Sequence, residues 1–428
     1  MFFLLGFVLL GVNSARAITL EELIAKSLNS YPSILSRQSN LEAAQSDLTA
    51  AKLKFLPNPS VSTQRNQVAY NGQPGSRQPA TNITVSQPLF LDGGIIAGYN
   101  KANARLSAAD FGLLEIREDI SKRLITAYSE WLRAWLKVQA LEESVRIHEK
   151  LVGLISRRFS QGVASGADRD LGASRLHQAQ AELDSQRSLE STALTSISEL
   201  VGEPIRRQDL VGSIAKPLNP PKRTAGILQA QTQSVTVQRY KYEAEASEQE
   251  AKEIRAQALP QLSFQAQRQI GNAYVPGAQG FDAYGLVLSY SPGGGLSNMA
   301  GASAAFERAK AAMLQAEVAK RELADRLNAD YNEYEFALLN KESLQRSVNL
   351  AGDIAASYDR QYLVGRKSWL DLMNSVRERA QTMMQLADTE GRLIGASRRL
   401  FIYIDGTGQF DVPTSMQEVT QFSLKTAQ

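Results

Sequence analysis

Cysteine is absent from this 428-residue chain, and histidine occurs only at His148 and His177. Disulfides, zinc ribbons and thiol nucleophiles are thereby excluded, and a His-rich metal site or a Ser-His-Asp triad has few candidates. Neither charge sign dominates. The 47 Lys and Arg are interleaved with 44 Asp and Glu, so no nucleic-acid-binding surface is expected. Apolar residues make up 43% of the chain, slightly few for a large globular core, which argues against a core-packed enzyme. Beyond the first residues, no run approaches the roughly eighteen apolar positions of a membrane-spanning helix.

What is present begins with MFFLLGFVLLGVNSARA. Its apolar run from Met1 to Val12 and the Ala15-Arg16-Ala17 ending fit a secretory signal over residues 1–17, although the positive n-region is missing. Cleavage would leave Ile18 first, with no Cys there to take a lipid, so the exported chain is expected to carry no lipid anchor.

The chain then repeats itself. Leu56-Pro57 recurs as Leu259-Pro260, Gln87-Pro88 as Ser291-Pro292, Phe159-Ser160-Gln161-Gly162 as Tyr362-Leu363-Val364-Gly365, Asp168 as Asp371, and Val201-Gly202 as Asp405-Gly406, at an offset of 203 or 204. An offset that hardly drifts argues for two equivalent halves, 18–214 and 215–406, joined by the Pro-rich Lys216 to Lys222, with a polar tail at 407–428.

Each half contains a long proline-free stretch. In the first, Leu113, Ile116, Ile120, Leu124, Ala127, Trp131, Ala134, Val138, Leu141, Val145, His148, Val152, Ile155 and Phe159 recur at steps of three and four, which predicts one helix over about 95–159. In the second, Leu323, Leu327, Tyr331, Tyr334 and Leu338 predict another over about 296–362. Helices of some 65 residues reach roughly 100 Å, too long for a compact globule, and imply a coiled-coil-like or tubular assembly. Along this stripe Trp131 reads as helix packing and His148 as a packed or rim histidine, since no second ligand lies at metal spacing.

Before each helix the period changes to two. QLSFQAQRQI at 261–270 and AYGLVLSYS at 283–291 alternate apolar with polar residues around a Gly- and Pro-rich loop, which predicts a hairpin. The first half matches more weakly, at about 61–69 and 81–89. Four strands with one apolar and one polar face suit a transmembrane β-barrel, which four strands cannot close, so other copies would complete it. A soluble four-stranded sheet beside a helical stalk suits the same alternation.

Several motifs together resemble one family: the opening LEELIAKSLNSYPSI, the strand starts LPNPSVS and LPQLSFQ, the strand-to-helix exits VSQPLFLDGG and LSYSPGGG, and the paired tips RRFSQGVASGADRDLGA and RQYLVGRKSWLDLMN. From Leu20 to Gly406 the chain is similar to the TolC-type outer-membrane channel-tunnel proteins of Gram-negative bacteria. The resemblance implies an α+β membrane protein: a homotrimer whose twelve strands form a barrel in the outer membrane, continued by a twelve-helix periplasmic α-barrel, with an internal two-fold repeat. It implies no enzymatic chemistry and no cofactor or metal. It also implies an exit duct served by a periplasmic adaptor (a membrane fusion protein) and an inner-membrane transporter.

Matched tip to tip, the resemblance assigns Asp168, Tyr362 and Lys367 to a periplasmic gate, with Lys367 where the family has arginine and Arg366 next to it to compensate. A lysine lacks the planar fork of arginine. It assigns Asp371 to a lumen selectivity ring whose second position, Asn374, is uncharged. Gly162, Ser165, Gly365 and Ser368 fall at adaptor-contact tips. Read without the resemblance, the same residues are solvated tip charges and ordinary turns. Phe90, Phe281, Tyr284 and Tyr290, near strand ends, suit an interfacial aromatic girdle facing outer-membrane lipid.

Type I protein secretion with an ABC transporter is the role expected, small-molecule efflux with a proton-driven pump the alternative, and a periplasmic coiled-coil scaffold or adaptor the reading of a different class.

Overall fold

The computed structural model describes residues 17–65, 69–70, 73–74, 79–89, 93–257, 259–271, 280–290 and 297–408. The signal segment up to residue 16, Phe90, the glycine-rich exit at 293–295 and the tail from residue 409 lie outside the described residues.

In chain order the helices are α1 Leu20–Ser30, α2 Pro32–Leu53, α3 Gly94–Ser160, α4 Gly166–Val201, α5 Arg207–Val211, α6 Arg223–Gln233, α7 Val235–Gln257, α8 Ser297–Leu363 and α9 Trp369–Asp405. The strands are β1 Asn58–Arg65, the two-residue β2 Ala69–Tyr70 and β3 Gln73–Pro74, β4 Pro79–Pro88, β5 Gln261–Ile270 and β6 Asp282–Ser289. Both α3 and α8 run uninterrupted for 67 residues. Without proline, nothing removes a donor from either backbone ladder.

The chain divides into two compact units, formed by the described parts of Met1–Ile34, Ile116–Thr232 and Ala324–Gln428, and of Leu35–Glu115 and Gln233–Leu323. The second unit holds a four-stranded antiparallel sheet in the order β1-β4-β5-β6. Its register sorts the side chains by face, because residues directly opposite one another share a face. Val61 opposes Ile83, Gln87 opposes Phe264, Phe264 opposes Leu286, Ala266 opposes Tyr284 and Leu262 opposes Leu288, which makes one face largely apolar. Ser60, Ser62, Asn82, Thr84, Ser86, Ser263, Gln265, Gln267 and Gln269 fall on the other, polar and uncharged. The apolar face is bare: Tyr284 is 84% exposed, Leu288 68% and Leu286 66%. In the same unit Arg239 of α7 is paired with Glu115 of α3 at 2.5 Å, and Tyr242 stacks on Phe111.

In the first unit the stripe on α3 is the core. Ile120, Leu124, Ala127, Trp131, Ala134, Val138, Leu141, Val145, His148 and Ile155 are all buried, with Trp131 stacked on Trp135. The Nδ1 of His148 lies 2.8 Å from the carbonyl of Ser144, one turn back, as a packed histidine. On α8 the stripe departs from expectation at its end, because Leu338 is half exposed while Ala337 is fully buried. Positions three and four beyond Tyr334 both lie near its face, and spacing alone does not tell them apart.

Small residues let helices close on one another. A Cβ added at Gly391 of α9 would lie 2.2 Å from Arg133 Cγ and 3.0 Å from the Ser129 carbonyl of α3. Ion pairs tie α9 to α3 and to α8. Arg133 and Lys137 both hold Asp388, and Arg399 binds Asp330 and Glu333.

The Pro-rich segment is tied down rather than loose. The Ala215 N–H donates to Tyr128 Oη at 3.0 Å and the Leu218 N–H to Ser397 Oγ at 3.2 Å. Arg398 donates twice to the Lys216 carbonyl, and Tyr331 Oη donates to the Pro221 carbonyl at 2.9 Å.

Gly391→Val should destabilise the protein by about 1–3 kcal/mol, since the added Cβ overlaps Arg133 Cγ, close to the α3 backbone on a side chain held by Asp388, and meets a backbone carbonyl that cannot swing away. Thermal unfolding in detergent checks this, with Gly153→Ala, a site with open space around it, expected not to lower the midpoint.

Candidate functional site

The two helix-to-helix tips are one turn built twice. At the first, α3 ends with the Gly162 N–H bonded to the Phe159 carbonyl and the Val163 N–H to that of Arg158; at the second, α8 ends with Gly365 bonded to Tyr362 and Arg366 to Gln361. This is the Schellman pattern, whose C′ residue must be left-handed. Gly162 and Gly365 have φ of 74° and 76°, and neither would crowd a Cβ, so the requirement lies in the backbone alone.

Three residues further on, each chain direction reverses into a capped helix. The Ser165 and Ser368 hydroxyls accept from the N–H of Asp168 and Asp371 at 3.0 and 3.1 Å, and donate to their carboxylates at 2.8 and 2.9 Å. Asp168 and Asp371 are thus N3 residues of capping arrangements, at helix ends where the dipole favours negative charge. The Ser165 hydroxyl holds the Asp168 carboxyl below its ordinary value, helped by the Trp369 indole of the other tip. The Ser368 hydroxyl and backbone N–H, and the Lys367 charge, do the same for Asp371.

Behind the tips lies a small core of Leu151, Tyr362, Leu372, Met373 and Val376, with Tyr358 and Trp369 packed against it. Tyr362 is only 4% exposed, and its hydroxyl is buried without a hydrogen-bond partner. The Arg158 guanidinium carbon lies 4.9 Å from the centroid of the Tyr362 ring, and Lys367 Nζ lies 4.5 Å from that of Tyr358. Asn374 is exposed one turn after Asp371, and Arg366 is exposed at the turn itself.

Among the described residues of one chain, no hydrogen bond or ion pair joins Asp168, Tyr362 and Lys367. The turn residues Gly162, Ser165, Gly365 and Ser368 shape the backbone, and the apolar Val163, Leu363 and Val364 beside them are 73%, 68% and 69% exposed. The sequence reading missed three participants: Trp369, Arg158 and Tyr358. The paired S-x-x-D spacing, Ser165 to Asp168 and Ser368 to Asp371, was the available signal for the caps.

A bare apolar sheet face, helices of 67 residues and duplicated helical tips make up a fold shared with solved outer-membrane channels. The chain superposes on the outer-membrane channel OprN with a TM-score of 0.76 at 18% identity, covering 92% of this chain and 91% of that one. It superposes on VceC of Vibrio cholerae with a TM-score of 0.70 at 18% identity (90% and 96% covered), and on the Campylobacter jejuni CmeC outer-membrane channel with 0.71 at 14% (94% and 88%). Residues 23–203 match the family described as Outer membrane efflux protein. That match spans somewhat under half of the chain, and the superpositions show that the chain has the fold of these channel proteins. A stretch of 130 residues, 30% of this chain, is 27% identical to the Proteases secretion protein PrtF of Dickeya chrysanthemi; the match spans 28% of that relative's length.

The two tip carboxyls should titrate below the ordinary aspartate value of about 3.9. A depressed folded value means that the stabilisation is complete above the unfolded value and is lost as pH falls through the folded one. In carbonyl-labelled protein, Ser165→Ala should raise the midpoint of Asp168, and Ser368→Ala that of Asp371, each leaving the other tip unmoved.

Proposed function

We propose that this chain forms the outer-membrane exit duct of a tripartite export system, most directly type I protein secretion. One observation carries the duct reading: a sheet whose apolar face is bare and whose outer strands, β1 and β6, each pair on one side only among the described residues. In lipid every backbone polar group needs an internal partner, and the smallest bacterial barrels have about eight strands. Three copies supply twelve. The polar, uncharged face then lines the pore, and the helices of the two repeats, 18–214 and 215–406, continue it as a twelve-helix periplasmic barrel.

The secretion role is favoured by the likeness to a relative named for protease secretion. Its partners are then an inner-membrane ABC transporter and a periplasmic adaptor that meets the tips around Gly162, Ser165, Gly365 and Ser368. Small-molecule efflux is the second reading, favoured by the family's own description. At the periplasmic entrance Asp168 and Lys367, with Arg366, act as a gate together with Tyr362, which is packed inside its own chain behind them, and three copies of Asp371 form a ring with Asn374 one turn on.

The protein should band with outer membranes on a sucrose gradient and run as a trimer on native electrophoresis; a soluble monomer overturns the duct. Deleting the gene should retain an exported protein in the cells without altering drug susceptibility, and the reverse result moves the role to efflux.

The ring of Asp371 carboxylates should bind a trivalent cation through several charge-assisted contacts at once. In planar bilayers Asp371→Asn should weaken block from the periplasmic side, while Asn374→Asp should strengthen it. Equal block in wild type and Asp371→Asn takes that carboxylate off the axis.

A further inference from the structure

At the ends of α3 and α8, two cations of the tips are spent on aromatic faces of the same chain instead of on acids. Arg158, exposed in the last turn of α3, covers the ring of the buried Tyr362 at 4.9 Å, and Lys367 lies over Tyr358 at 4.5 Å. Neither Arg158 nor Lys367 has an ion pair among the described residues, and Tyr362 Oη has no hydrogen-bond partner. Tyr362 therefore meets the last turn of α3 through its π-face.

We propose that Arg158 and Tyr362 form a cation–π latch that fastens the end of α8 to the end of α3 within each chain, and that Arg158 is a positioning residue for the closed entrance. The reading rests on the gate assigned above, and it changes what Tyr362 contributes: its ring rather than its hydroxyl. A ring buried in the Leu151, Leu372, Met373 and Val376 cluster is held in place by packing, so the guanidinium has a fixed surface to sit on. The attraction comes from the ring quadrupole and is retained by phenylalanine. A hydroxyl-based gate predicts the opposite outcome, because phenylalanine removes the only atom such a gate uses. When α8 swings from α3, the cation loses its ring and the Tyr362 side chain loses its cover at the same moment.

The test compares Arg158→Gln, Arg158→Lys and Tyr362→Phe in the assembled protein by two readouts. In planar bilayers Arg158→Gln should raise the open-to-closed ratio roughly two- to fivefold per chain, the range an exposed cation–π contact supports. Arg158→Lys and Tyr362→Phe should behave as wild type. In parallel, amide hydrogen exchange over residues 361–366 should speed up in Arg158→Gln and in neither of the others. Exchange unchanged in Arg158→Gln, or accelerated equally in Tyr362→Phe, overturns the latch. Accelerated exchange in Arg158→Gln with unaltered conductance, in that variant and in Asp168→Ala, keeps the helix-to-helix latch and removes the gate reading and with it Arg158's role in closure.

Discussion

An α-helix satisfies its backbone within itself, whereas a strand does so only through its neighbours, and this difference governs the whole molecule. The long helices α3 and α8 complete their ladders over 67 residues without help. The sheet cannot: among the described residues β4 and β5 are paired on both sides, while β1 and β6 are each paired on one. Where the open edges coincide with a bare face of Tyr284, Leu286 and Leu288, water is a poor surrounding for the sheet and hydrocarbon a suitable one, provided that further strands close it. The proposed trimer follows from that requirement rather than from any helix contact.

At the other end of the long helices the constraint is again the backbone. Each tip must end one helix and start the next within five residues, and both use the same solution: a left-handed glycine, then a serine cap, then an aspartate that accepts from the serine. Asp168 and Asp371 are therefore occupied before any neighbouring copy or partner arrives. This does not exclude a role at the entrance, since a capping carboxylate keeps its charge and has lone pairs to spare. Of the basic residues at the tips, Arg169 pairs with Asp170, while Arg158 and Lys367 take up aromatic faces.

Much of this was legible in the order of residues. The alternation in 261–270 lies in β5 and that from 283 lies in β6 as far as Ser289, and the three-four stripe of α3 is largely buried from Ile120 to Ile155 and exposed at Phe159, because periodicity reports directly which side of an element meets other protein. It failed where two neighbouring positions fit one face. Leu338 and Ala337 are equally placed by spacing, and it is Ala337 that the fold buries. The tips are legible as turns from Gly162 and Gly365, and the S-x-x-D spacing marks Ser165 and Ser368 as caps, a backbone role that leaves the implied adaptor contact open to them. Trp369 was invisible, since an indole reaching from one tip to the carboxylate of another leaves no trace in local spacing.

By itself, then, the sequence determined the two long helices, the alternation of the second hairpin, most of the face that α3 buries and the twofold recurrence of the tip, because each of these depends on residues within a few positions of one another. Only the tertiary structure decided the strand order β1-β4-β5-β6, the close approach of α9 to α3 at Gly391, the anchoring of the Pro-rich segment by Tyr128, Tyr331 and Arg398, and the seating of Arg158 on Tyr362. These contacts join residues far apart in the chain, and the free energy that selects among them belongs to the packed arrangement as a whole.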